Sequence, residues 1–501
     1  MSDNSRPRVS RRGFLAGTAA AAAAAAVPAI AQVAAADPAA AAPRPNILLI
    51  VTDDQPKHTE WALPKTTAWL ADQGVKFTNG HVTTPLCSPS RSSVLTGRYA
   101  HHHGVRNNNA SYRLDQSTTL PRYLRQAGYR TGLFGKWLNS WTLSDNPPHF
   151  EEFALLQPGY VDAQWNVNGT VQTINGYTTD IIKNRTLNFL DKAAADARPW
   201  FAYVTPYASH GPRTPEAKYA GTAVPDWDGR PSVPENDRSD KPAYIRNATG
   251  TLADGKQIRA EQLRTLLSVD DTVQAFKNKL QALGQLDNTL VIYIADNGFT
   301  WADHGWTKKS VPYRPAHEVP FYLSWPAGGL SVGTTDSRIT TNIDIAPTVL
   351  DAAGITPTHS VDGRSLLSSY SRDHLLVEWW QQGTTAGCPP TWASYVSQNK
   401  QYTEYYDLTT DGNGTVSGTG QVKFREYYDL AGDPYQLTNK LYQATPADEQ
   451  DLGIPALAAQ LAADRTAPRP ASAAAGPRWR ARGRRRPPAP PGTAPARRAA
   501  P

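Results

Sequence analysis

The sequence predicts an α/β protein: a large mixed, mostly parallel sheet sandwiched by helices, followed by a smaller C-terminal antiparallel-sheet subdomain. Short, wholly apolar runs alternate with amphipathic stretches through most of the chain, as buried strands joined by helical crossovers require. Past about Ser371 the character changes, and Leu375 to Trp379 and Val422 to Tyr428 read as strands of an antiparallel unit. Taken in order, Asn46 to Val51 is apolar almost throughout, reads as a buried strand and ends at Asp53-Asp54. Pro64 to Gln73 reads as a helix, with proline in its first turn and Gly74 as its stop. Trp200 to Val204 is a second buried strand, ending near His210, and Glu261 to Leu283 has the apolar spacing of a long helix. Leu290 to Ala295 is a third strand, ending at Asp296-Asn297, and Ile343 to Ala353 is a helix stopped by Gly354. There are no internal repeats.

Charge is unevenly distributed. Removing the nine arginines of 466–501 and the excess of two positive charges at 1–42 from the net +7 leaves about −4 for the body. The basic balance is therefore no argument for nucleic-acid binding. The body divides into a catalytic domain at 44–370 and a C-terminal subdomain at 371–465. The tail at 466–501 is nearly all Ala, Pro and Arg, cannot bury a core and is expected to be disordered. At the other end, Ser10-Arg11-Arg12-Gly13-Phe14-Leu15 matches a twin-arginine export signal, followed by a weakly hydrophobic alanine-rich run to Ala31. Cleavage near Ala36 would make 1–36 a signal peptide, read by the twin-arginine machinery, with a secreted or cell-envelope destination. No stretch approaches the ~20 strongly apolar residues of a stable membrane span.

Functional candidates gather just past the C-terminal ends of the apolar strands, where open α/β sheets place their sites. Asp53-Asp54 and Asp296-Asn297 are two oxygen-rich pairs placed alike. A single aspartate there usually only caps a loop. Two pairs together form a hard-oxygen set suited to Ca²⁺ or Mg²⁺ rather than zinc. Cys87 is one of only two cysteines in 501 residues. Pro89 suits the first turn of a helix, which would put Cys87 at a helix N-terminus, where free N–H groups favour anions. A Cys87–Cys388 disulfide would remove that cysteine from chemistry and is not expected.

The run Cys87-Ser88-Pro89-Ser90-Arg91, with Leu95-Thr96-Gly97-Arg98-Tyr99 after it, resembles the modification signal of the sulfatases. Gly135-Lys136-Trp137, Ser209-His210-Gly211-Pro212 and Ala295-Asp296-Asn297-Gly298 are similar to further segments of that family. So are Lys309 with Tyr313 and Pro320, Asp344 to Thr348, Asp362 to Leu366, and Tyr428-Asp429-Leu430 with Asp433-Pro434 and Asn439. The resemblance covers Arg44 to about Lys440. It departs at Leu138, where histidine is frequent, at Arg314-Pro315 after Tyr313, and at the run His101-His102-His103. The Leu138-Asn139 form resembles the branch with glucosamine-6-sulfatases and heparan endosulfatases, and Asn139 is a candidate for the missing leaving-group contact. A structural role is expected for the three histidines rather than a metal site.

The resemblance implies an alkaline-phosphatase-like fold and hydrolysis of sulfate esters, arylsulfatase-type and extending to sulfated sugars. Cys87 would be converted to formylglycine by a formylglycine-generating enzyme, before twin-arginine export carries the folded protein out. Asp53, Asp54, Cys87, Asp296 and Asn297 would hold one divalent ion, Ca²⁺ before Mg²⁺. Cys87, Arg91, Lys136, His210 and Lys309 would be catalytic. One hydroxyl of the aldehyde hydrate would attack sulfur while Lys309 and His210 serve the leaving oxygen and Lys136 the sulfate oxygens. Loss of the second hydroxyl's proton would then release sulfate. Two other readings use the same residues: a phosphodiester or phosphonate monoester hydrolase of the same superfamily, and a secreted binding protein with an unmodified site.

Overall fold

The structure, a computed structural model, describes residues 44–330, 333–383 and 387–468. The export signal expected at 1–36 and the tail from 469 onward lie outside the described residues. Thr466, the first residue assigned to the tail, closes the helix Ile454–Thr466.

Ten strands form the main sheet, in the order Thr334–Asp336, Val75–Phe77, Phe321–Ser324, Thr289–Ala295, Asn46–Thr52, Trp200–Thr205, Arg130–Gly135, Glu152–Leu156, Gln164–Val167, Thr170–Thr173. The central five, from Thr289–Ala295 to Glu152–Leu156, run parallel, with an antiparallel neighbour on each side. Successive residues of a strand face opposite sides. Ile47, Leu49 and Val51 accordingly pack into one core with Val94, Leu95 and Val349. Leu48 and Ile50 pack into the other with Phe189, Leu263, Leu266 and Phe276 from the helices Thr178–Ala194 and Leu252–Ala282. Burial on both faces is why these strands read as continuous apolar runs rather than alternating ones.

Register places the site. Thr52 pairs with Ala295, Ile50 with Val204, and Gly135 with Thr205. Asp53, Asp296, Lys136 and the segment leading to His210 therefore leave the sheet side by side. Gly135 makes one of these exits feasible: its φ is 121°, and an added Cβ would lie 2.1 Å from the carbonyl oxygen of Thr205.

The second sheet has four antiparallel strands, His374–Trp379, Thr391–Ser397, Lys400–Thr410 and Val416–Asp429. One face packs under Ile454, Leu457 and Leu461 of the last helix, the other against Leu86 and Ile339 of the main body. Arg372, just before this sheet, donates through both terminal nitrogens to the carboxylate of Asp344, at 2.7 and 2.6 Å. No helix among the described residues is long and apolar enough to cross a membrane.

Local differences from the sequence reading have physical causes. The expected helix at Pro64 starts as an α-turn, Pro64–Thr66, and continues as a π-turn, Thr67–Ala71, with the Asp72 N–H reaching back to Thr67 O. The long helix begins at Leu252 rather than Glu261, because Thr251 and Asp254 form a reciprocal capping box. The strand Val416–Asp429 is twice as long as its apolar portion suggests, since its outer half is an exposed hairpin arm.

Arg372→Ala would leave Asp344, which is 0% exposed, without its guanidinium partner. A loss of about 3–5 kcal/mol is expected, read as a lower urea midpoint with the denaturant slope unchanged.

Candidate active site

Cys87 is the first residue of the helix Cys87–Thr96, and all ten residues of that helix are buried. Six of the ten are Ser, Thr or Arg, so the helix is held by polar partners rather than by an apolar stripe. Its N-cap residue, Leu86, has no side chain to satisfy the first turn. Asn108 Oδ1 supplies the cap from a neighbouring loop, accepting the Ser88 N–H at 3.0 Å. Ser88 Oγ accepts the Asn139 N–H at 2.8 Å and donates to Asn139 Oδ1 at 3.1 Å. Ser90 bonds to Asn342 and Ser93 to His103. Gly97, at φ 70°, ends the helix by donating to Ser93 O.

The sequence-predicted residues converge on the start of this helix. Cys87 Sγ lies 3.5 Å from Asp53 Oδ1 and 2.9 Å from Lys309 Nζ. Lys136 Nζ donates to Asp53 Oδ2, and Lys309 Nζ donates to Asp54 Oδ1. Arg91 reaches one turn along the helix to donate through Nε to Asp296 Oδ2 at 2.8 Å, with NH2 3.5 Å from Asp53 Oδ2. Asp296 Oδ1 accepts the Asp54 N–H at 3.1 Å, so the two strand ends are tied directly. His210 Nε2 stands 3.8 Å from Asp54 Oδ2. Its Nδ1 is 2.7 Å from the Gly211 carbonyl, which can only accept. The proton therefore sits on Nδ1, and Nε2 faces the site.

Burial and charge oppose each other here. Burial alone would raise the Asp53 carboxyl, but Lys136, His210, Arg91 and Lys309 together hold it well below the usual carboxylate range. Burial would lower Lys136, and Asp53 instead carries it up to about 12. Burial and the charge of Asp53 push the Cys87 thiol up to about 12. As an unmodified cysteine it is a poor nucleophile at neutral pH.

Asp53, Asp54, Cys87 and His210 offer ligand atoms within 4.8 Å of one another. Asn297 Nδ2 donates to Asp54 Oδ1 and Gly298 O, while its Oδ1 is buried with no hydrogen-bond partner. An orphaned amide oxygen beside two carboxylates fits a hard divalent cation.

Further residues support this cluster without a sequence signal. Gln262, on the long helix, donates to the Asp54 carbonyl at 2.8 Å and lies 3.4 Å from Ser209 O. Trp301 Nε1 fixes its orientation by donating to Gln262 Oε1 at 2.6 Å. Tyr207 stacks on His210 with ring centroids 4.8 Å apart, and Lys136 Nζ lies 5.8 Å from the Tyr207 centroid. The Tyr160 hydroxyl donates to the His210 carbonyl. Other candidates sit apart. Asn139 is engaged with Ser88 and braces the helix. His101, His102 and His103 turn to Glu378, Asp362 and Ser93 respectively, and form no common ligand set. Arg314 pairs with Glu318 at 2.6 Å. Cys87 and Cys388 are both free thiols.

The family pattern described as Sulfatase matches residues 45–355, more than half of the chain. The chain belongs to the sulfatase family. A second pattern, described as N-sulphoglucosamine sulphohydrolase, C-terminal, matches residues 302–461. An extracellular sulfatase SULF-1 homologue of Drosophila melanogaster is 34% identical over 367 residues, covering 67% of this chain and 32% of that protein. The chain thus spans about a third of that sulfatase's length, and 48% of a similar relative from Caenorhabditis elegans. An N-acetylglucosamine-6-sulfatase of Homo sapiens is 29% identical over 456 residues, covering 80% of this chain and 82% of that protein. Among solved structures, a protein in complex with its substrate D-glucosamine-2-N,6-O-disulfate superposes with a TM-score of 0.73 at 21% identity. It covers 85% of this chain and 99% of its own. The alkaline-phosphatase-like sulfatase fold inferred from the sequence agrees with that superposition.

Gln262→Leu removes the donor that holds the Asp54 carbonyl. Divalent-ion affinity is expected to fall about 10–100-fold, measured as a shift of the metal concentration needed to raise the unfolding temperature.

Proposed function

We propose that this sulfatase-family chain hydrolyses sulfate esters through a formylglycine made from Cys87, with sulfated sugars as the favoured substrate class. The observation that carries this reading is the placement of Cys87 Sγ, at a helix N-terminus between Asp53 and Lys309. The names of the relatives support the sugar class, as does the Leu138-Asn139 variant. The proposed catalytic set is Cys87, Arg91, Lys136, His210 and Lys309, and the proposed ion ligands are Asp53, Asp54, Cys87, Asp296 and Asn297.

Calcium is the ion that this oxygen set suits best, and when bound it supplies positive charge to the sulfate oxygens and the nucleophile. The residues account for the remaining steps. An aspartate of the cluster takes the proton from one hydroxyl of the aldehyde hydrate as that hydroxyl's oxygen bonds to sulfur. The ester oxygen leaves with its bonding pair and takes a proton from Lys309, or from His210 Nε2 when that imidazole carries both protons. Lys136 and the helix N-terminus bear on the sulfate oxygens. Release then needs no attack on the charged sulfur centre: the second hydroxyl gives its proton to the residue that protonated the leaving oxygen, the carbon–oxygen bond breaks with its pair going to the departing sulfate, and the aldehyde re-forms and takes up water to restore the hydrate.

The extracellular names of two relatives support secretion, and the Ser10 to Leu15 motif supports the twin-arginine route for it. The buried position of Cys87 supports modification before the chain folds.

Two linked outcomes are expected from protein made in a host that carries the modifying enzyme. The tryptic peptide Phe77 to Arg91 should have the mass of the aldehyde form, and Cys87→Ala should fold normally yet lose turnover of aryl sulfates by at least about 10³-fold. An unmodified thiol would favour a binding role, and a strong preference for phosphodiesters would replace the substrate class.

A further inference from the structure

Lys309 stands on a segment without helix or strand of its own, between the short turn Asp303–Gly305 and the helical turn Arg314–His317. Its side chain nonetheless meets both Asp54 and Cys87. Ser310, next in sequence, has φ 73°, a left-handed conformation that a residue with a Cβ adopts only under constraint. Contacts from outside the loop hold that geometry.

The constraint comes from the C-terminal sheet. Trp306 Nε1 donates to the Lys309 carbonyl at 3.1 Å from within the loop. Trp392 Nε1 donates to the Ser310 carbonyl at 3.0 Å, Gln401 Nε2 donates to the Pro312 carbonyl, and the Tyr313 hydroxyl donates to Glu426 at 2.9 Å. Trp392, Gln401 and Glu426 lie on three successive strands, Thr391–Ser397, Lys400–Thr410 and Val416–Asp429, and all three are buried. Glu426 is itself fixed by the hydroxyls of Tyr405 and Tyr428. The Trp392 face of this sheet also packs on Leu86, the residue before Cys87. One rigid sheet thus holds the backbone on both sides of the contact between lysine and nucleophile.

We propose that Trp392 is a positioning residue for Lys309: its indole N–H, presented by the C-terminal sheet, fixes the Ser310 carbonyl and so aims the lysine ammonium at Asp54 and Cys87. This rests on the catalytic role proposed for Lys309. Reacting groups need sub-ångström placement by a supporting shell, and a lysine on an irregular loop has many rotamers to lose.

Trp392→Phe keeps an aromatic ring and removes the donor. Reductive methylation of the folded, full-length protein, followed peptide by peptide, tests placement independently of turnover. Lys309 should be labelled about fivefold faster in the variant while the buried Lys241 keeps its wild-type rate. Equal rates at Lys309, or an equal rise at Lys241, would overturn the proposal. Kinetics provide the second test. On aryl sulfates, kcat should fall about tenfold with KM within about threefold, more steeply for poorer leaving groups. In a Lys309→Ala background the same substitution should add nothing, whereas additive losses would mean that Trp392 acts elsewhere. Tyr313→Phe, which removes the hydroxyl bonded to Glu426, repeats both tests with a smaller change in volume should Trp392→Phe not fold. Wild-type protein that carries the aldehyde and shows the labelling contrast, yet does not turn over sulfates, would count against the proposed reaction and not against the positioning.

Discussion

Arg91 is fully buried, and a guanidinium cannot shed its proton to escape the cost of burial. It is tolerated only because Asp296 and Asp53, from the ends of two adjacent parallel strands, accept its charge. The dependence runs both ways, since neither carboxylate could stay ionised at that depth alone. Because Arg91 sits one turn along from Cys87, the same contact fixes the helix against the sheet. The parallel register, the helix start and the carboxylate pairs are therefore one arrangement rather than three.

Around that pair the charges nearly cancel. Asp53, Asp54 and Asp296 face Arg91, Lys136 and Lys309. A divalent ion among the carboxylates would leave a surplus of two positive charges, which the sulfate dianion of the proposed reaction would match. The protein side of this balance depends on residues that never touch the centre: Gln262 and Trp301 on one flank, Trp392, Gln401 and Glu426 on the other. The C-terminal sheet belongs to the chemistry as much as to the fold.

Much of this was legible in the sequence because buried strands are written in apolar runs and their ends in polar pairs. Asn46–Thr52, Trp200–Thr205 and Thr289–Ala295 each extend by one residue or so beyond the apolar stretch, and the main architecture followed from them. The convergence of Cys87, Asp53, Asp54, Asp296 and Asn297 was readable from motif resemblance, not from spacing. Gln262 was invisible, as one polar residue among many on an amphipathic helix; only the fold shows that its side of the helix faces Asp54. Tyr207 and Trp392 were hidden for the opposite reason, since buried aromatics look like core. The start of the long helix was legible in principle, in the Thr251 and Asp254 pair, but the apolar periodicity drew attention further along.

The burial of Cys87 has a consequence for the life history of the molecule. Its sulfur is closed to any second protein once the helix around it has packed. If Cys87 is converted as proposed, conversion and folding would compete for the same newly made chain, and whichever is faster would decide the fate of each copy. Copies that fold first would be stable, native in shape and inert in the proposed reaction, because the finished structure gives a modifying enzyme no way back to that sulfur. The active fraction of a preparation would then record how fast the chain was synthesised relative to the supply of its modifying enzyme. Two batches with the same unfolding temperature could differ widely in specific activity.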